Sequence, residues 1–257
     1  MWKSRSRKRP RADLEVRSLI RLMATENGWG APRIHGEILK LGFDVSQRTV
    51  SRYMPRRKPQ PEEIKRWMAF LRNHREFVTA MDFFTVPTAT FRILYGFFII
   101  HHHQRKIQHF NATLNPTAEW VTQQLREAFP YDSAPRYIIF DRDSIFSPLV
   151  RRTLKSMGIK PKRIFYKKPW QNGVAERWIE SCRLEMLNHV VVLNEVHLVR
   201  MVREYITYYH EDRTHLSLKK DTPNSRPVKK KPSEKAKVVS LPRVGGLHHR
   251  YDWSEAA

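Results

Sequence analysis

The 257 residues include 48 Lys and Arg against 25 Asp and Glu, a formal charge of +23, and 40% of the residues are hydrophobic. So large a basic excess calls for a polyanionic partner, nucleic acid being the usual one, in a chain long enough for one large domain and a small one. A single cysteine, Cys182, excludes a disulfide framework and a thiolate zinc cluster, and the longest apolar run, Ile93–Ile100, is broken by Gly96 and too short to cross a bilayer.

The opening stretch, MWKSRSRKRPR, has six basic residues, no acid and none of the apolar run of a secretory signal. Residues 1–11 are therefore expected to form a basic arm lying along phosphates. Val16, Leu19, Ile20 and Met23 recur at helical spacing behind Asp13 as N-cap. A second helix starts at Pro32, buries Ile34, Ile38 and Leu41, and stops at Gly42. Ser46 caps a third, with Val50, Tyr53 and Met54 inward and Gln47, Arg48, Ser51 and Arg52 outward. Three short helices with a tight turn before a polar third match a helix-turn-helix over residues 12–54, whose outward side chains are expected to touch DNA. Any small three-helix bundle would give the same pattern.

Residues 55–75 read as a Pro-rich, charged linker and a connecting helix, Glu63–Arg75, with Ile64, Trp67, Met68 and Leu71 on one side. From Glu76 the texture changes. FVTAMDFFTV, FRILYGFFII and RKIQHFNATL are closely spaced β-rich segments that suggest an antiparallel meander. A helix over Thr117–Phe129, the strand RYIIF, a helix over Pro148–Met157, the strand KRIFY and two helices near 172–189 and 194–211 follow. Residues 76–220 are thus predicted to form an α/β domain, a mixed five-stranded sheet with flanking helices. The tail, 221–257, is rich in Lys and Pro and is expected to be largely disordered, apart from a small hairpin turned by the Gly-Gly of LPRVGGLHHRYDW.

Two aspartates stand where a buried strand should end, in IIFDRDSIF, and a third, Asp82, lies inside a strand between Met81 and Phe83. A carboxylate in such a setting is costly without a partner, and a cation is the natural one. Asp141 closes the fourth strand, and both acids converge if strands one and four are neighbours. Glu176 falls in the first turn of the helix that Asn172 can cap, where the helix dipole favours the ionised form. The separations are 141 − 82 = 59 and 176 − 141 = 35 positions. Three acids without cysteine are hard oxygen ligands suited to Mg²⁺ or Mn²⁺. Two such ions about 3.5–4 Å apart can activate an attacking oxygen and stabilise the leaving one in phosphoryl transfer.

AMDFF, FDRDSIFSPLVRRTLKSMGI and PWQNGVAERWIESCRLEML, with YYHEDRTHLSL further on, resemble the catalytic core of retroviral-type integrases and prokaryotic insertion-sequence transposases, from about Phe77 to Leu218. The resemblance implies an RNase H-like fold and places the family's three acids, as catalytic and metal-binding residues, on Asp82, Asp141 and Glu176. It also implies a metal-dependent transposase or integrase that cuts DNA at an element's end and joins the freed 3′-OH to target DNA. Two Mg²⁺ ions are expected when DNA is bound, with double-stranded DNA as partner, a homodimer or larger assembly, no membrane, and a cytoplasmic, nucleoid-associated location. Relatives often carry further sequence upstream, so an end-recognition part is expected to be missing here or supplied elsewhere. A non-catalytic DNA-binding descendant and a nuclease that cuts without joining are the alternatives.

Asp143 departs from the family, which commonly has Gly there. It is expected in a left-handed backbone position, or else as added charge near the metals. Lys160, Lys162, Arg163, Lys167 and Lys168 lead into PWQNG, and Lys167, Lys168 and Asn172 are expected to contact DNA. Trp170 either stacks on a base or packs under the loop. His101–His103 read as strand-end histidines rather than a zinc site, Glu180 as an ion-pair partner of Arg177 or Arg183, and Cys182 as core.

Overall fold

The chain divides into two units, residues 1–65 and 66–257. The computed structural model describes residues 13–27, 29–55, 61–130, 133–165 and 168–255, so the basic arm of residues 1–11 and Lys167 lie outside the described residues.

The first unit contains α1 (Leu14–Asn27), α2 (Ala31–Lys40) and α3 (Gln47–Tyr53). Val16, Ile20, Ile34, Ile38 and Val50 close its core. Pro32 sits in the first turn of α2, and Gly42, at φ 85°, reverses the chain after it. Ser46 caps α3 as expected, its Oγ accepting from the Thr49 N–H at 3.2 Å. Leu41 is 55% exposed rather than buried. It follows the last helical residue of α2, so the helical spacing that would turn it inward has already ended.

The helix α4 (Pro61–His74) runs across the division between the units. Its buried stripe is Trp67 with the partly buried Phe70 and Leu71, and the Phe70 ring stands edge-on to Tyr137 at 5.1 Å. Met68, expected inward, lies off that stripe and is 52% exposed.

The second unit is built on a five-stranded sheet of β1 (Val78–Pro87), β2 (Ile93–His101), β3 (Ile107–Thr113), β4 (Tyr137–Phe140) and β5 (Lys160–Arg163), in the order β3-β2-β1-β4-β5. The first three form the antiparallel meander; β4 lies parallel to β1, and β5 parallel to β4. This is the mixed five-stranded sheet with flanking helices expected from the sequence. β5 starts two residues ahead of the expected KRIFY because its ladder sets Lys160 opposite Tyr137. An edge strand tolerates such charge, which keeps further strands from adding to it.

Alternating side chains send each strand into two layers. Met81, Ile138 and Phe140 face α5 (Ala118–Ala128) and α6 (Pro148–Ser156). Ala80, Phe84, Tyr137 and Ile139 face α4, α7 (Gly173–Glu185) and α8 (Glu195–Glu211). Gly96 pairs with Phe84 across the β1–β2 ladder, and a Cβ there would come within 2.7 Å of the Phe84 ring. The glycine makes room for that ring, which meets Trp178 of α7 edge-on at 5.8 Å and so seats the helix on the sheet.

The tail contains the hairpin that its Gly-Gly suggested. β6 (Lys237–Arg243) and β7 (His248–Ser254) pair as a hairpin turned at Gly245 and Gly246, both at positive φ. Arg243 and Arg250 donate to the buried Asp212 at 2.7 and 3.1 Å. His248 stacks on Tyr208 at 4.4 Å and pairs through Nε2 with the Glu185 carbonyl at 2.8 Å. Arg243, His248 and Arg250 thus tie the hairpin to Glu185 of α7 and to Asp212 just after α8, while the lysines from Lys229 to Lys237 stay exposed.

Candidate active site

Asp82 and Asp141 are brought together by strand pairing. The parallel ladder of β1 and β4 pairs Val78 with Tyr137, Thr79 with Ile138 and Ala80 with Ile139. Continued two residues further, it sets Asp82 level with Asp141, on neighbouring strands about 4.8 Å apart. Asp82 shares its face with Ala80 and Phe84, and Asp141 shares its face with Tyr137 and Ile139, all in the layer covered by α7. Glu176 is in the first turn of that helix. The three acids, distant in sequence, belong to one side of one sheet.

Their electrostatics agree with this placement. Burial pushes the Asp82 carboxyl up to about 7, and the charge of Asp141 and, more weakly, that of Glu176 add to the effect. The Phe83 N–H, at 2.8 Å, and the Asn172 side-chain amide, at 3.0 Å, pull the other way. The Asp141 carboxyl is also raised, first by burial and then by the charge of Asp143, while the Asp143 N–H at 2.9 Å and the Arg163 guanidinium lower it. Asp141 therefore ionises first, and Asp82 meets that charge when its own turn comes.

Two local expectations are corrected here. Asn172 is at the N-cap position of α7, but its side chain makes no cap hydrogen bond. It is 3% exposed, gives Nδ2 to Asp82, and leaves Oδ1 buried without a partner. Asp143 is not among the positive-φ residues. Its Oδ1 accepts from the Ile145 N–H at 2.9 Å in a tight turn, and its charge acts on Asp141. An aspartate can close this turn with its side chain, which removes the need for a left-handed backbone.

Among the described residues, no three His, Cys, Asp or Glu side chains gather closely enough to hold a metal ion between them. The donor chemistry nevertheless fits a divalent cation. Among the described residues, Asp82 is held by the Phe83 N–H and the Asn172 amide in a site where two other acids oppose its charge, and every candidate donor is a hard oxygen.

The remaining candidates scatter. Gln47, Arg48, Ser51 and Arg52 all lie exposed on α3. Lys168 is half-buried. Lys162 is engaged with aromatic rings, its Nζ 5.3 Å from the Phe70 centroid and 5.5 Å from that of Tyr137. Arg163 acts on Asp141, a role that its place in a charge run did not single out. Trp170 is 40% exposed. His101 ends β2, with Nε2 3.2 Å from the Glu76 carbonyl. Glu180 pairs with Arg177 at 3.7 Å on the surface, and Cys182 is fully buried.

Residues 157–223 match the integrase core domain family. Glu176 lies inside the match; Asp82 and Asp141 lie upstream of it. No curated protein matches the chain. Among solved structures, a chain of the simian T-cell lymphotropic virus intasome in complex with PP2A regulatory subunit B56 gamma is 14% identical, covering 70% of this chain and 66% of that one, with a TM-score of 0.47. The HTLV-2 integrase catalytic core domain in complex with magnesium, in its dimeric form, is 10% identical over 58% of this chain and 94% of that one (TM-score 0.47). The catalytic core domain of BIV integrase is 14% identical over 58% of this chain and 91% of that one (TM-score 0.44). Among the described residues, no helix is long and apolar enough to cross a membrane.

Proposed function

We propose that this chain, whose residues 157–223 match the integrase core domain family, is a metal-dependent DNA transposase or integrase acting by phosphoryl transfer at Asp82, Asp141 and Glu176. The observation that carries the reading is the β1–β4 register, which brings Asp82 level with Asp141 beneath the helix that bears Glu176. Simple DNA binding gives no reason for three acids to share one face.

In this reading Asp82, Asp141 and Glu176 would hold Mg²⁺ or Mn²⁺ through their carboxylate oxygens. When bound, the ions supply Lewis-acid stabilisation of the attacking and leaving oxygens. The Asn172 amide fixes one oxygen of Asp82, and the Phe83 N–H fixes the other. Arg163 and the Asp143 N–H favour the charged form of Asp141 against the burial that opposes it. The first reaction breaks a phosphodiester bond by attack of water and leaves a 3′-OH. In the second, that 3′-OH attacks a target phosphodiester, forms the new bond and releases a 3′-OH on the target strand. Gln47, Arg48, Ser51 and Arg52 read the element's end, and the active form on DNA is a dimer or larger assembly.

The test supplies DNA carrying candidate element ends together with Mg²⁺, and compares wild type with Asp141→Asn. Nicked and joined products from wild type are expected to fall in the variant by more than the roughly 100-fold typical of losing an outer partner of a metal ligand. Cutting without joining would mark a nuclease. Sequence-specific binding with no cutting by either protein would mark a DNA-binding regulator.

A further inference from the structure

A cleft of about 530 Å³ opens beside α7, lined in part by Arg105, Trp170, Gln171, Arg177 and His215 and not by Glu176. Among the described residues, no carboxylate lines it. Arg105 is the unusual member. It lies in the β2–β3 turn at φ 60°, a left-handed conformation rarely taken by a residue with a long side chain. Its guanidinium is partly buried, and its side-chain hydrogen bond runs from Nε to the Ser217 hydroxyl at a long 3.4 Å. A cation withdrawn from water without an anion beside it is costly, and backbone strain of this kind gathers at functional positions. Burial makes the Arg105 charge harder to keep, in line with a missing counter-charge.

The neighbours of Arg105 sharpen the chemistry. Burial and nearby cations push His102 and His215 down to about 4, so both are neutral hydrogen-bonding groups at ordinary pH. Arg213 is already committed to Glu185, donating Nε to the two carboxylate oxygens at 3.0 and 2.9 Å. Arg177, 80% exposed at the rim, has a loose surface pairing with Glu180 at 3.7 Å, so among the described lining residues Arg105 is the cation with no carboxylate partner. Gln171 is 1% exposed; its Oε1 accepts from the Phe165 N–H at 2.7 Å, and its Nε2 is buried with no partner. The next residue, Asn172, is the one that holds Asp82. The loop ahead of α7 thus offers consecutive residues to the cleft and to the acids.

We propose that this cleft is a phosphate-binding subsite for a nucleic-acid strand, anchored by Arg105, with Arg177 at its rim and Trp170 as a stacking surface for a base. A strand engaged at the acids reaches it by passing over the start of α7. The choice of ligand rests on the function proposed above; the subsite itself rests on the unpaired cation and the orphaned amide.

The test measures binding of the full chain, carrying Asp141→Asn to prevent cutting, to a fluorescein-labelled DNA duplex with a single-stranded end across a series of salt concentrations. Arg105→Ala and Arg177→Ala are each expected to lower the slope of log K against log salt by about one, the effect of one lost phosphate contact. Arg105→Lys keeps the slope and shows that charge, not folding, is responsible. Trp170→Ala weakens binding of the single-stranded end at every salt concentration without changing the slope. Unchanged slopes in both alanine variants, with normal binding by the parent, would overturn the subsite and leave the proposed function standing. Failure of the parent to bind any DNA would remove both.

Discussion

Asp82 is a carboxyl whose surroundings favour the proton, and this gives it a measurable signature. The unfolded chain releases the proton near 3.8, whereas the folded chain holds it to about 7. Between those values the folded state binds the extra proton, so wild-type stability falls as pH rises through that window and levels off above it. Asp82→Asn, permanently neutral, is expected to raise the melting temperature of metal-free protein by an amount that grows from about pH 4 to pH 7 and then stays constant. Thermal unfolding across that range checks this, and Mg²⁺ should shrink the advantage by stabilising the wild type alone. The position of Asp82 was legible because an acid between Met81 and Phe83 breaks a strand pattern so plainly. The behaviour of Asn172 and Asp143 was not. Each has a good local role on paper, capping for one and a left-handed turn for the other, and each gives its hydrogen bonds to tertiary or side-chain-closed partners instead.

At the scale of elements, α7 does two jobs. Its first turn carries Glu176, its middle is seated by Phe84 and Trp178, and its last residue, Glu185, accepts from Arg213 and, at 2.9 Å, from the Tyr205 hydroxyl. The hairpin of β6 and β7 attaches beside that end through Asp212. The side chain of Asp212 is 2% exposed, so removing it takes the carboxylate from Arg243 and leaves Arg250 with Asp252 alone. Asp212→Ala is expected to cost about 3 kcal/mol, with hydrogen exchange quickening in β6 and β7 before it does in the sheet. Helices α1 to α8 could be read from apolar spacing because each buries a stripe in its own unit. The docking of the tail could not, since its anchors are single charges scattered among many lysines, and composition does not say which cation has a buried partner. Leu41 and Met68 failed for a related reason: periodicity locates a stripe but not its edge.

For the whole molecule, each of the two units closes its own core, and the catalytic candidates all lie in the second. Residues 61–257 alone are therefore expected to unfold cooperatively and, under the proposed function, to keep Mg²⁺-dependent cutting and joining. Preference for element ends over random DNA should fall toward unity, because Gln47, Arg48, Ser51 and Arg52 are gone. Competition between the two DNAs measures this. Loss of cutting with intact folding would mean that the first unit contributes to the chemistry as well as to recognition.

The alternation of β1 between two layers makes that strand an even-or-odd counter. A residue inserted ahead of Val78 is taken up by the preceding turn and leaves the count alone. The same residue inserted between Val78 and Asp82 inverts everything after it, sending the carboxyl toward α5 and α6. The first insertion should leave Mn²⁺ binding intact and the second should abolish it, which makes four positions of one strand less forgiving of length change than the whole connection before them.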